Sequence, residues 1–207
     1  MSRLLVATRS RGKQNEFRSL LAPIGAELVF PDDIQIVPSR EEDDLERYDT
    51  FEANARAKAR WFAARSGLPA LADDSGLEVD ALGGAPGVHS KRFAGVDGPD
   101  ELVTAANNRL LIARLAGVPA EQRTARYRCV LVLAHVNGNA EIEVSGQCNG
   151  MIVDTPRGEG GFGYDPLFYS DELGVTFGEA AADAKAAVSH RGRAVAALVE
   201  RLGREML

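Results

Sequence analysis

The strongest constraint on the fold is a pair of adjoining strand patterns in the second half of the chain. Residues 125–136 form a long, mostly apolar run that is typical of a strand. Asn137-Gly138 follows, a dipeptide typical of two-residue hairpin turns. In residues 140–145 apolar and polar side chains then alternate, which is the period of a half-buried strand. The segment therefore predicts a β-hairpin.

Helix patterns occur on both sides of this hairpin. Residues 4–7 are a short apolar run typical of a buried strand. Residues 50–67 strongly predict a helix, because a threonine can cap its start and a glycine follows its last turn. Residues 99–115 and a final segment that Ser189 can cap show helical spacing of leucine and valine. We therefore expect an α/β protein with a long mixed, twisted sheet and helices on its flanks.

The composition limits the kinds of partner. The 207 residues can form one domain or two closely packed lobes, and the net charge of −6 gives no bulk attraction to nucleic acid or anionic membranes. No apolar stretch approaches the roughly 18 residues of a membrane span. The apolar run at the start is too short for a signal peptide. Cys129 and Cys148 lack zinc-ligand spacing. We expect a cytoplasmic protein with free thiols.

Two polar segments could carry chemistry at strand ends. Asp73-Asp74 follows an apolar run and precedes Ser75-Gly76, which we interpret as a turn. Carboxylates at the end of a strand can handle hard cations, although the same residues form ordinary turns. Residues 8–13 are basic and lie between the first strand and a helix predicted from Gln14. This arrangement can hold phosphate, although a solvated basic loop has the same composition.

Three further features complete the set. Asn54 and Lys58 are four residues apart and share a helix face, which could also be an exposed polar face. Residues 154–166 form a glycine-rich loop with two aromatic side chains, and His190-Arg191 follows Ser189. Together the segments offer acids for a metal, lysines for phosphates, aromatics for a flat ring and a His-Arg pair for hydrogen bonds. A magnesium-dependent nucleotide enzyme needs these groups.

A family resemblance is carried by five segments, which occur in this order along the chain: LLVATRSRGK, TFEANARAKA, ADDSGLEVDALGGAPGVHS, GFGYDPLF and SHRGRA. With them the chain resembles the inosine triphosphate pyrophosphatase family. The resemblance implies a single nucleoside triphosphate pyrophosphatase domain over residues 1–207, two lobes with the active site in the cleft between them, and a homodimer. It also implies Mg²⁺-dependent hydrolysis of ITP, dITP and XTP to the monophosphate and pyrophosphate, which removes deaminated purines from the nucleotide pool.

The resemblance implies roles for individual residues. Asp74 is expected to bind metal and accept a proton, and Glu46 to bind metal. Lys58 is the second expected catalytic residue and faces the phosphates, while Asp73 supports the metal through water or the second shell. The implied substrate contacts lie in the basic loop, after the acidic pair, in the glycine-rich loop and near the C-terminus: Thr8, Arg9, Ser10, Arg11, Gly12, Lys13, Ser75, Phe162, Gly163, Tyr164, Asp165, Lys185, His190 and Arg191.

The expected contacts follow from side-chain chemistry. Lys13 would neutralise triphosphate oxygens, and Phe162 and Tyr164 could stack on the purine. Arg191 has only hydrogen-bond donors, so it would donate to a 6-keto oxygen and disfavour a 6-amino group. This argument does not explain rejection of guanine, which also carries a 6-keto group.

The chain departs from the family pattern at two places. Ser10 replaces the usual asparagine of the first motif, and Arg47-Tyr48 replaces the usual Thr-Gly after Glu46. Two alternatives stay open: a nucleotide pyrophosphatase with another base preference, and a nucleotide-binding module without catalysis. Nucleic-acid binding through SHRGR is disfavoured by the acidic balance of the chain.

Overall fold

The computed structural model describes residues 3–136 and 141–205. Within them the strands form one seven-stranded sheet with the order β2-β1-β3-β4-β5-β6-β7. The strands are β1 (Arg3–Val6), β2 (Glu27–Val29), β3 (Ala70–Val79), β4 (Thr124–Ala134), β5 (Glu141–Ile152), β6 (Phe168–Ser170) and β7 (Val175–Thr176). β1 is parallel to β2 and β3, whereas β6 is antiparallel to β5 and β7. The predicted α/β fold with a mixed sheet is confirmed.

Helices flank the sheet. They are α1 (Arg11–Leu20), α2 (Arg40–Asp43), α3 (Phe51–Ser66), α4 (Asp100–Arg114), α5 (Ala182–Val188) and α6 (His190–Glu205). The bounds of α3 agree with the prediction because its ends are local: Thr50 Oγ accepts the Ala53 N–H, and Gly67 adopts a left-handed φ of 68°. Over the described ranges, no helix combines the length and apolar character needed to cross a membrane.

Two predicted boundaries need correction. The first helix begins at Arg11 rather than Gln14, so residues 11–13 form its first turn instead of a loop. The sequence hides this turn because its side chains are polar and the first buried residue of the helix is Phe17. The predicted strand at residues 125–136 is β4, which ends at Ala134, and Asn137-Gly138 and Ala140, the first residue of the predicted return strand, lie outside the described residues.

The chain divides into two compact units, in agreement with the two lobes that the resemblance implies. The first unit comprises Met1–Asp74, Cys129–Gly146 and Gly192–Leu207, and the second Ser75–Arg128 and Gln147–Arg191. Each has its own apolar core, which includes Phe17 and Leu131 in the first unit and Leu77 and Phe168 in the second. The site expected in a cleft stays a prediction.

The two cysteines belong to different cores. Cys129 lies in the apolar core of the first unit and Cys148 in that of the second. Both side chains are fully buried, and neither forms a disulfide, as predicted.

Candidate functional site

An acid–lysine cluster lies in the first unit. We use this name for Lys13, Glu46, Lys58, Asp73 and Asp74. Lys58 is almost fully buried, and its ammonium lies 2.6 Å from Glu46 Oε1 and 3.8 Å from Asp74 Oδ1. The ammonium also donates to the main-chain carbonyl of Asp73, whose carboxylate pairs with Lys13 at 2.8 Å. The structure thus brings together the expected metal ligands and both expected phosphate-facing lysines.

The backbone around the acidic pair differs from the predicted turn. Asp73 and Asp74 lie in the middle of β3, which continues through Ser75 and Gly76 to Val79. Glycine is needed at position 76 for a close approach: a Cβ there would lie 2.3 Å from the Gly87 carbonyl oxygen. The interpretation of Ser75-Gly76 as a turn is therefore wrong, because a contact distant in sequence selects the glycine.

The environment within the cluster shifts the pKa values of Asp74 and Glu46 in opposite directions. Burial, aided by the charge of Glu46, raises the pKa of Asp74 to about 6 against the opposing effect of Lys58. The charge of Lys58 lowers the pKa of Glu46 to about 2. Burial favours neutral Lys58, but the surrounding carboxylates outweigh it and raise the ammonium pKa. Asp74 is therefore the carboxylate suited to exchange a proton near neutral pH, whereas Glu46 stays ionised.

Asn54 is a polar residue of this region to which the sequence assigned no role. It is fully buried, and its Nδ2 donates to Asp74 Oδ2 at 2.9 Å. The shared face of Asn54 and Lys58 is consequently a buried face, and the alternative of an exposed polar face is wrong. The signal available in the sequence was a pair of polar residues four positions apart in an alanine-rich helix.

The basic segment has several structural roles. The Arg9 guanidinium forms a two-pronged contact with Glu42 at 2.7 and 2.8 Å and also contacts Asp32. Thr8 is buried, and its hydroxyl accepts the Ser10 N–H at 3.3 Å. Ser10 precedes α1, and its side chain makes no capping hydrogen bond. Arg11, Gly12 and Lys13 form the first turn of the helix. Their expected phosphate contacts stay predictions.

An aromatic–arginine cluster lies in the second unit. We use this name for Ser75, Phe162, Asp165, Lys185 and Arg191. Asp165 Oδ2 accepts both the Phe162 N–H and the Lys185 ammonium at 2.7 Å. The ammonium lies 5.1 Å from the centre of the Phe162 ring, and the Arg191 guanidinium lies 5.9 Å from it. Arg191 is 1% exposed and donates to Ser75 Oγ at 2.9 Å.

The neighbouring aromatic side chains divide into accessible and buried rings. Phe162 is 36% exposed, whereas Tyr164 is 4% exposed and its hydroxyl donates to the Ser90 carbonyl at 2.8 Å. The ring of Tyr164 packs inside the core of the second unit, and its expected stacking on a purine stays a prediction. His190 is also buried, with its ring stacked on Tyr127 at 4.6 Å. Gly163 accepts a hydrogen bond from Asn108 at 3.1 Å.

The donor set of the acid–lysine cluster fits Mg²⁺. Its carboxylates are the hard oxygen ligands that this ion prefers. Among the described residues no group of three or more histidine, cysteine or acidic side chains forms a ready-made metal cage. Mg²⁺ is commonly held by one or two carboxylates together with substrate phosphates. Glu46 and Asp74, which approach the same ammonium, match that arrangement.

Known proteins resemble this chain over nearly its whole length. A dITP/XTP pyrophosphatase of Geobacter sulfurreducens is 49% identical over 203 residues, which are 98% of each chain. A dITP/XTP pyrophosphatase of Symbiobacterium thermophilum is 50% identical over 97% of this chain and 94% of its own. The solved structure of a HAM1 protein from Coxiella burnetii covers 99% of this chain and 100% of its own, with 35% identity and a TM-score of 0.84.

The family assignment rests on this similarity. The Ham1 family matches residues 4–201, a range that contains both side-chain clusters. The family resemblance found in the sequence is thereby confirmed. This chain belongs to the Ham1 family.

Proposed function

We propose that this protein is a nucleoside triphosphate pyrophosphatase that hydrolyses dITP, ITP and XTP to the monophosphate and pyrophosphate. The observation that carries the proposal is the acid–lysine cluster, in which the pKa of Asp74 is raised to about 6 beside two lysines. The names of the relatives, which are about half identical to this chain, support the choice of substrates.

The cluster suits a triphosphate because it combines positive and negative side chains. Lys13 and Lys58 contact carboxylates, and both would balance phosphate charge when a nucleotide binds. Glu46 and Asp74 would hold Mg²⁺, which when bound supplies further neutralisation of the phosphate oxygens.

Asp74 acts on the nucleophile. In its ionised form the carboxylate takes a proton from the attacking water as the water oxygen bonds to the α-phosphorus. The bond between that phosphorus and the oxygen bridging to the β-phosphate breaks, and its electrons leave with pyrophosphate. Lys58, held by Glu46 and the Asp73 carbonyl, stabilises the negative charge on the transferred group.

The aromatic–arginine cluster suits a 6-keto purine. Phe162 offers an exposed ring face for stacking, worth about 1–3 kcal/mol per base. Arg191 supplies only donors, and Ser75 fixes one of its nitrogens. A 6-amino group, itself a donor, would meet these N–H groups without forming a hydrogen bond, so adenine nucleotides are disfavoured.

The test is a kinetic panel of nucleoside triphosphates with pure enzyme and Mg²⁺. Pyrophosphate release from dITP and XTP should exceed release from ATP, dUTP and dTTP. No turnover of dITP, or faster release from dUTP or dTTP, would reject the proposed substrate class. Omitting Mg²⁺ and adding a chelator should abolish turnover, and retained activity would remove the metal from the proposal.

The assembly and the compartment belong to the same proposal. We expect a homodimer, whose solution mass would be twice the 22.2 kDa of one chain. Light scattering on the purified protein decides this, and a mass of one chain contradicts it. We expect the protein to act in the cytoplasm, where thiols stay reduced.

A further inference from the structure

Asn54, in the first turn of α3, uses both ends of its buried amide. Its Nδ2 donates to Asp74 Oδ2 at 2.9 Å and to the Tyr48 carbonyl at 3.1 Å. Its Oδ1 accepts the Tyr48 N–H at 2.9 Å. Since the side chain is fully buried, unpairing any of these groups would leave a polar atom without compensation. The amide is therefore fixed in one orientation.

The contact with Asp74 decides which carboxylate oxygen is available. Asn54 occupies Oδ2, whereas Oδ1 faces the Lys58 ammonium at 3.8 Å. The terminal torsion of an aspartate has broad, shallow minima, so burial alone does not select this orientation. The hydrogen bond from the amide selects it, and Oδ1 is left toward the centre of the acid–lysine cluster.

The contact with Tyr48 fixes the segment that carries Glu46. Asn54 pairs with the N–H and the carbonyl of the same residue, as a neighbouring strand would. These contacts involve only the main chain of Tyr48, whose side chain is 44% exposed. The backbone there is outside the left-handed region that favours glycine. This explains how Arg47-Tyr48 can stand where the family usually has Thr-Gly.

We infer that Asn54 is a positioning residue, which orients Asp74 for proton transfer and fixes the Glu46 segment relative to it. The inference rests on the proposed function, in which Asp74 takes a proton from the attacking water. It adds to the site a side chain that need not touch the substrate. Loss of such a supporting partner commonly costs about 10- to 100-fold in activity or metal affinity.

Two substitutions separate the two contacts. Asn54→Leu removes every hydrogen bond of the amide. Asn54→Asp keeps an acceptor for the Tyr48 N–H but replaces the N–H donor to Asp74 with a second buried acid, which repels the Asp74 carboxylate or shares a proton with it. Asn107→Leu is the matched control, since buried Asn107 also accepts one main-chain N–H (Ala94, 2.8 Å) and donates to two carbonyls.

Both Asn54 variants should lower kcat for dITP by about 10- to 100-fold, with KM and metal-free dITP affinity changed by less than about threefold. Amide exchange at Tyr48 should accelerate in Asn54→Leu and stay slow in Asn54→Asp. Asn107→Leu should lose thermal stability and keep its kcat. A merely structural role for Asn54 would instead give the same kcat in the Asn54→Leu and Asn107→Leu variants at temperatures where both are folded.

Two results would overturn the inference: wild-type kcat in Asn54→Leu, or an equal loss of kcat in Asn107→Leu. If wild-type protein releases no pyrophosphate from dITP, the proposed function fails. The orientation of Asp74 in a crystal structure of Asn54→Leu then still decides the positioning role. A rotated carboxylate supports that role, and an unmoved one contradicts it.

Discussion

The two side-chain clusters differ in the number and the pairing of their charged side chains. In the acid–lysine cluster, the carboxylates of Glu46 and Asp74 and the main-chain carbonyl of Asp73 approach the ammonium of Lys58, and the pKa of Asp74 rises to about 6. In the aromatic–arginine cluster, Asp165 instead accepts hydrogen bonds from Lys185 and the Phe162 N–H. The first cluster contains three carboxylates and two lysines, whereas the second contains one carboxylate, which is paired with Lys185, and the buried guanidinium of Arg191.

This difference suits the two clusters to different roles. A surplus of buried carboxylate is unfavourable by itself and becomes useful when a cation or a proton arrives. A paired and stacked arrangement is rigid and presents a fixed shape to a ligand. The comparison therefore supports the proposed division, with proton and phosphate chemistry in the first cluster and base recognition in the second.

The largest expected effect is on turnover. Asp74→Asn removes the proton acceptor, and kcat for dITP should fall about 10²- to 10⁴-fold. The ratio of kcat/KM for ITP to that for ATP should stay the same, because the second cluster is untouched. Steady-state kinetics with both nucleotides measure this. A changed ratio would contradict the division of labour between the clusters.

The same substitution in the two clusters should change stability in opposite directions. Because the folded-state pKa of Asp74 is raised to about 6, the folded protein binds more protons there than the unfolded chain between about pH 4 and pH 6. Its contribution to stability therefore falls as the pH rises through this window. Asp74→Asn should gain up to about 3 kcal/mol in unfolding free energy at pH 7 and little at pH 4.

Asp165→Asn is the comparison variant. It breaks the buried 2.7 Å ion pair with Lys185 and should lose about 3–5 kcal/mol. Chemical denaturation of both variants in metal-free buffer provides the measurement. The electrostatic contrast is refuted when Asp74→Asn is destabilised at neutral pH as strongly as Asp165→Asn.

A smaller effect is expected on base selection. Arg191→Met keeps a long buried side chain but removes the donors, and the preference for ITP over ATP should shrink about 10- to 100-fold. Competition assays with both nucleotides give the ratio. An unchanged preference would show that Arg191 does not read the base.

The smallest effect concerns Tyr164. Tyr164→Phe removes the single hydrogen bond to the Ser90 carbonyl, which is worth about 1 kcal/mol of stability. We expect a lower unfolding midpoint and a slightly higher KM for dITP with kcat unchanged. A wild-type midpoint would mean that the hydroxyl does not anchor the loop.

Local signals in the sequence predicted the fold well, whereas features that depend on distant contacts were not predicted. The bounds of α3 agree with the sequence because its cap and its terminal glycine are encoded within a few residues of the helix. The continuation of β3 past Asp74 could not be recognised from the sequence. A side chain at position 76 would collide with the Gly87 carbonyl oxygen, which comes from a different segment of the chain. The polar first turn of α1 was missed because no apolar periodicity marks it.

The site shows the same limit. The family resemblance found the residues that compose both clusters, but their partners depend on tertiary structure. Tyr164 was expected to be accessible in a glycine-rich loop, and the Ser90 carbonyl instead anchors it inside a core. Asn54 lies in one of the five family segments but received no role there, and only its burial between Tyr48 and Asp74 shows what it contacts.

The buried cysteines have a practical consequence for following the enzyme in solution. Cys129 and Cys148 are fully buried thiols, which react slowly with alkylating dyes in the folded protein. The side chain of Tyr48 is exposed, and its neighbours hold only its main chain. A Tyr48→Cys variant therefore offers a single fast-reacting thiol, and a fluorophore attached there would report motion of the Glu46 segment without removal of the native cysteines.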